Sequence, residues 1–129
     1  MSQEQFSGQR ILVVDDDLDI LESMEIALSA MGAEVITASD GNTAVSMYNA
    51  HSPHAVVLDM MLPKRSGFLV LEKIQESDSP PPVIMITANQ GRRHMQYAVD
   101  LGVSDYLVKP VPLTRLAEAL AQVLKLNDN

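Results

Sequence analysis

Apolar residues follow two rhythms along this chain. Short unbroken runs, Ile11–Val14, Ala55–Leu58 and Val83–Ile86, alternate with stretches in which apolar residues recur every three or four positions. Unbroken runs of this length are what strands show when helices cover both faces of a parallel sheet. Glu34–Ala38 and Tyr106–Val108 read as two further strands. Between the runs, Ile20, Leu21, Met24, Ala27, Leu28 and Met31 fall at helical spacing, and Gly32 stops that helix just past its end. A second helix runs from Gly41 to about Ala50, carrying Ala44, Val45 and Tyr48. A third follows Ser66-Gly67, with Phe68, Leu71 and Ile74. Ser79-Pro80-Pro81-Pro82 is an extended connector into the fourth strand. A fourth helix is expected from about Gly91 to Leu101 with Gly102 as its cap, and a last one on Leu113, Leu116, Leu120, Val123 and Leu124. Strict alternation with short connections predicts a doubly wound α/β fold, a parallel five-stranded sheet with helices on both faces. The expected boundaries are a flexible tail over residues 1–9, one domain over 10–126 and a frayed tail over 127–129.

The polar residues that break this pattern most sharply are acidic. Asp15, Asp16 and Asp17 follow the first strand at once, and Asp59 follows the third. In a parallel sheet the carboxyl ends of neighbouring strands open into one crevice where ligands bind. Unpaired charges about 4 Å apart repel by roughly 4 kcal/mol at an effective dielectric near 20. Carboxylates gathered at such a point suit a cation, and hard divalent cations prefer oxygen ligands. On residue type alone, an Asp after a strand also fits a helix N-cap.

Composition narrows the chemistry. The chain has 129 residues, 47% of them hydrophobic, enough for one domain with a sizeable core. It has no cysteine, which rules out disulfides and thiolate metal sites. Residues 1–9 lack the apolar segment of a signal peptide, and no stretch approaches the ~20 apolar residues of a membrane span. A cytoplasmic location is therefore expected. The formal net charge of −8 argues against direct nucleic-acid binding, which relies on Lys and Arg meeting phosphates. Most of the eight methionines lie on apolar faces and read as core filling; Met60 and Met61, in the loop beside Asp59, are the exceptions.

Four motifs now stand in order, each at the end of a strand: Ile11-Leu12-Val13-Val14-Asp15-Asp16-Asp17; Val57-Leu58-Asp59-Met60-Met61-Leu62-Pro63 ending in Gly67; Ile84-Met85-Ile86-Thr87-Ala88; and Asp105-Tyr106-Leu107-Val108-Lys109-Pro110. Together they resemble a bacterial response-regulator receiver domain of two-component signalling, like the chemotaxis regulators, over roughly residues 10–125. The resemblance implies a flavodoxin-like fold with strand order 2-1-3-4-5. It implies that Asp59 accepts a phosphoryl group from a histidine kinase or phosphotransfer protein, forming an aspartyl phosphate. Mg²⁺ would be held by Asp16, Asp59 and the Met61 carbonyl, with Asp15 acting through water. Lys109 would pair with Asp59 and then with a phosphate oxygen, aimed by a cis bond to Pro110. Thr87 and the Ala88 N–H would bind phosphate, and Tyr106 would rotate inward as the switch is thrown. The output would be a changed partner affinity on the face of the fourth helix, fifth strand and fifth helix, read by a protein target, an effector domain or a second copy in a phosphorylation-dependent homodimer. Such a protein is a phosphoacceptor that assists its own phosphorylation and dephosphorylation, not an enzyme acting on other molecules.

Residue by residue, plainer readings stand beside these: Lys109 as a lysine snorkelling over apolar surface, Thr87 as a strand residue, Tyr106 as half-buried packing. Asp17 lies outside the pattern and reads as first-turn helix charge. Val111, Pro112 and Arg115 depart from the commonest family residues, all on the output face. Met61 and Asn89 flank the site, while His51, His54 and His94 are given no role. Three rivals compete. A phosphorylation-independent interaction module would usually have lost Asp59, Thr87 or Lys109. An aspartyl phosphatase would want a carboxylate where Met61 stands. A flavin-binding relative would place phosphate against Asp15 to Asp17.

Overall fold

The computed structural model describes residues 4–88 and 92–126. The expected start of the fourth helix at Gly91, Asn89 and the tail at 127–129 therefore lie outside the described residues. Elements alternate throughout: β1 (Arg10–Val14), α1 (Leu18–Ala30), β2 (Glu34–Ala38), α2 (Gly41–His51), β3 (Ala55–Asp59), α3 (Gly67–Gln75), β4 (Val83–Thr87), α4 (Arg92–Asp100), β5 (Asp105–Val108) and α5 (Leu113–Val123). The strands form one parallel sheet in the order β2-β1-β3-β4-β5. This is the flavodoxin-like doubly wound topology, with β5 at an edge.

Period-two alternation sorts the strand residues between two cores. Ile11, Val13, Ala55, Val57, Ile84 and Ile86 face α1 and α5, where they meet Leu21, Met24, Leu28, Leu116 and Leu120. Leu12, Val14, Val56, Leu58, Val83 and Met85 face the other way, onto Val70, Leu71 and Ile74 of α3, Ala44 of α2 and Ala98 of α4. Every residue of β3 and β4 is buried. Each such aliphatic side chain contributes about 1.5–3 kcal/mol by leaving water, so the central strands supply much of the stabilising burial. Among the described residues no helix is long and apolar enough to cross a membrane.

Two details differ from the sequence reading. Residues 4–9, expected as tail, form turns that seat the fully buried Phe6 against the α1–α5 core. Phe6 N–H donates to Met31 C=O at 2.8 Å, and Gln9 C=O accepts from Glu34 N–H at 2.9 Å. Asp17, expected as a first-turn charge, is the N-cap of α1, accepting from the N–H groups of Asp19 and Ile20 at 3.0 and 3.2 Å. At the start of α5, Pro112 offers no side-chain cap, which its fixed φ near the first turn tolerates.

Candidate functional site

The carboxyl ends of β1, β3, β4 and β5 meet at one edge of the sheet. Register brings this about: Val14 lies opposite Leu58, Asp59 opposite Ile86, and Thr87 opposite Val108. Each strand then delivers its next polar residue to the same place. Asp15 and Asp59 are buried there beside the buried Thr87, with Lys109 following β5. The Lys109–Pro110 peptide is cis.

Lys109 Nζ lies 3.0 Å from Asp15 Oδ2 and 3.3 Å from Asp59 Oδ2, so it bridges two carboxylates where the sequence suggested a pair with Asp59 alone. The bond to Asp59 is a directed hydrogen bond. Asp15 Oδ1 accepts from Asp17 N–H at 2.9 Å, but Asp15 Oδ2 is enclosed and accepts no hydrogen bond; its contact with the ammonium is off the bonding direction. Asp59 Oδ1 accepts from Met61 N–H at 3.1 Å. Burial, then the Asp15 charge, push Asp59 up to about 6, while the Met61 N–H and Lys109 pull the other way. Burial lowers Lys109, but Asp15 and Asp59 outweigh it and leave the ammonium above its ordinary value.

Carboxylate oxygens of Asp15, Asp16 and Asp59 lie within 4.8 Å of one another, Asp16 being the solvent-exposed member. An all-oxygen set of this size, two of its three members buried, fits a hard divalent cation that keeps part of its water shell. Among the described residues, Asp15, Asp16 and Asp59 are the side chains whose oxygens could share one ion.

The remaining candidates fall around this centre. Ala88 is exposed just past β4, and Lys109 N–H donates to Thr87 C=O at 2.8 Å, joining the ends of β4 and β5. Tyr106 is half-buried against the α2–α3–α4 core, and burial raises its phenol. Met60 and Met61, both expected in the loop, part company: Met60 is buried in that core, whereas Met61 is 62% exposed. The three histidines lie elsewhere. His54 Nδ1 accepts from Arg10 N–H, His51 C=O accepts from the Arg10 guanidinium, and His94 stacks on Phe68. Arg115, where the resemblance leads one to expect Glu, faces Asp105 across 3.9 Å.

The sequence reading missed the support beneath the β3–α3 loop. Gly67 N–H donates to Met60 C=O at 2.9 Å, and Gly41 N–H reaches Pro63 C=O at 3.2 Å. Gly41 follows a good N-cap, Asp40, so it reads as an ordinary first helical residue; nothing local announces the contact.

Known proteins share this architecture. The family model for the response regulator receiver domain matches residues 11–121. The chain is 35% identical over 125 residues to the probable transcriptional regulator ycf27 of Cyanophora paradoxa, covering 97% of this chain and 52% of that protein. It is 36% identical over 119 residues to the transcriptional regulatory protein PrrA of Mycobacterium tuberculosis, covering 92% and 51% respectively. The chain thus spans about half the length of these curated relatives. Among solved structures, a CheY-like receiver domain protein from Methanospirillum hungatei superposes with a TM-score of 0.87 at 28% identity, covering 91% of this chain and 94% of that one. A chain of the CheX–CheY–BeF₃–Mg²⁺ complex from Borrelia burgdorferi gives 0.87 at 27% identity, covering 95% and 98%.

Proposed function

The chain belongs to the response regulator receiver domain family, and from that premise we propose that Asp59 is its phosphoacceptor, loaded by a sensor histidine kinase or phosphotransfer protein in a Mg²⁺-dependent reaction. The family is a signalling domain, and its site needs little beyond placement and charge. The observation that carries the reading is the buried Asp59 carboxylate, linked to Asp15 through the Lys109 ammonium at the open end of the sheet.

An Asp59 oxygen attacks phosphorus on the donor phosphohistidine. The new O–P bond forms as the P–N bond breaks, and the imidazole nitrogen leaves with the electron pair and is reprotonated from water. A carboxylate ionised at neutral pH needs no general base; it needs relief from anion meeting anion. Lys109 supplies part of that relief and can move from the Asp59 carboxylate to a phosphoryl oxygen with little rearrangement, since its ammonium is already within 3.3 Å. Asp16, Asp59 and the Met61 carbonyl would hold Mg²⁺, with Asp15 acting through water, and the ion would neutralise charge on the transferring group. Thr87 Oγ1 and the Ala88 N–H are the donors on the β4 side.

Switching then arises from the new bonds, because a modification biases two states only by its differential interactions with them. Thr87 drawn toward the phosphoryl group leaves room for the half-buried Tyr106 to turn inward. That alters the face built by α4, β5 and α5, to be read by a protein target, a fused effector domain or a second copy of the chain. The curated relatives extend well beyond the matched region, whereas the CheY-like neighbours are covered to 94% and 98%, so both a fused effector and a separate protein target have precedents. This action is placed in the cytoplasm, where kinase and target would meet it.

Intact-mass analysis after incubation with acetyl phosphate and Mg²⁺ tests the assignment. The expected result is a gain of one phosphoryl group, abolished by a chelator and by Asp59→Asn. An adduct that persists in Asp59→Asn at the wild-type rate would sink Asp59 as acceptor. No adduct, together with no beryllofluoride binding, would make this a receiver fold that works by contact alone.

A further inference from the structure

The loop joining β3 to α3 presents Met61 to the acidic cluster, and two backbone anchors hold that loop. One is local: Gly67 N–H donates to Met60 C=O, and a Cβ at Gly67 would overlap the Asp59 carbonyl oxygen and fall 2.7 Å from Met60 Cα. The other comes from a distant segment, the amino end of α2. Gly41 N–H donates to Pro63 C=O at 3.2 Å, the carbonyl that also accepts from Arg65 N–H at 2.8 Å. Beside it, Arg65 Nε donates to Asn42 Oδ1 at 3.2 Å. A Cβ at Gly41 would overlap the Arg65 carbonyl oxygen and lie 2.7 Å from its carbonyl carbon. That obstacle is backbone and cannot swing aside like a side-chain tip. Gly41 begins a regular helix, so the absence of a side chain serves close approach and not an unusual dihedral. The loop itself is tightly bent here, with Lys64 at φ 69°.

Met61 sits between the two anchors, two residues before Pro63. Its N–H already bonds Asp59 Oδ1; the direction of its carbonyl depends on what holds the chain beyond it. We propose that Gly41 is a positioning residue for the cation site: the amino end of α2 closes on Pro63–Arg65 and so fixes the backbone that aims the Met61 carbonyl. This rests on the reading of Met61 as a ligand. Groups that orient metal ligands, without touching the ion, typically change affinity by about 10–100-fold when altered.

The test is a Mg²⁺ titration of the unphosphorylated full chain, followed by the backbone amide shifts of Asp16 and Met61. Gly41→Ala is compared with Gly32→Ala, a substitution at φ +96° near Glu4 and Ser7, far from the loop. Gly41→Ala is expected to raise the Mg²⁺ dissociation constant by about tenfold or more. Gly32→Ala should lower the melting temperature yet bind Mg²⁺ as the wild type does. Should Gly41→Ala not fold, Asn42→Ala removes only the Arg65 bond, and a smaller weakening in the same direction is expected. Wild-type affinity in a folded Gly41→Ala, or in Asn42→Ala where that variant must be used, overturns the proposal. An equal loss in Gly32→Ala overturns it too, by tracing the effect to stability. A wild-type protein whose Asp16 and Met61 amides ignore Mg²⁺ would instead remove the ligand reading beneath it.

Discussion

Burial and the Asp15 charge push Asp59 up to about 6 against an ordinary 3.8, so the folded chain binds this proton more readily than the unfolded one. Ionised Asp59 therefore works against folding above pH 6, and the metal-free protein gains stability as pH falls from about 6 toward 4. Asp59→Asn removes the charge while keeping an oxygen for the Met61 N–H. In chelator at pH 7.5 the variant should be more stable than wild type by on the order of 1–3 kcal/mol. The difference should shrink toward zero near pH 4, as read by urea denaturation at each pH. A variant less stable than wild type at both pH values would show that Lys109 compensates Asp59 fully. Mg²⁺ should reverse the order by stabilising wild type alone, since a ligand of the native state adds to its stability. Protons would compete with that binding below pH 6, where Asp59 takes one up.

Helix ends tell how much of the site can be read locally. Asp17, Asp40 and Ser66 cap α1, α2 and α3 with side-chain oxygens, each worth about 1 kcal/mol. Asp17→Ala should lower the unfolding free energy by that amount, measured by urea denaturation, while leaving acetyl phosphate labelling unchanged; a loss of labelling would put Asp17 in the reaction. The alternation of apolar runs with helical spacing made every element legible, because burial on two faces or one stripe leaves a periodic trace. Asp15 and Asp59 were legible for a related reason, since parallel strands deliver the residues at their carboxyl ends to one edge; Thr87 and Lys109 were pointed out by the family resemblance of their motifs. The departures have a common physical character. Asp17 as a cap, Met60 turned into the core, Lys109 shared with Asp15 and Gly41 pressed on Arg65 all depend on where the chain comes to lie in space, and periodicity carries no record of that.

Across the whole molecule, chemistry and anchoring occupy opposite ends of the sheet. The acidic cluster lies at the carboxyl ends of the strands, whereas Phe6 is pinned near the turn from α1 into β2, its N–H on Met31 C=O. Phe6 is a lone aromatic in a polar segment, which is why it reads as tail; its burial comes from the α1–α5 groove that accepts it. Phe6→Ala should cost about 3–5 kcal/mol, seen as a lower urea midpoint, with Mg²⁺ affinity unchanged below the transition. A negligible shift in midpoint would mean that the N-terminal turns are ornamental to the fold.

The arrangement around Lys109 has a consequence for which ions the domain can use. Formally, three carboxylates less one ammonium leave two negative charges in the cluster. The site is thus matched to a valence before it is matched to an element: a monovalent ion leaves it anionic, and a trivalent one overshoots. Magnesium and calcium satisfy the count equally, so charge alone does not tell them apart. Mg²⁺ demands near-octahedral geometry where Ca²⁺ accepts irregular shells, and with Met61 as the proposed ligand, discrimination between them would fall to the stiffness of residues 60–66. Without a braced loop the domain would still attract a divalent ion, but it would no longer be choosy about its size.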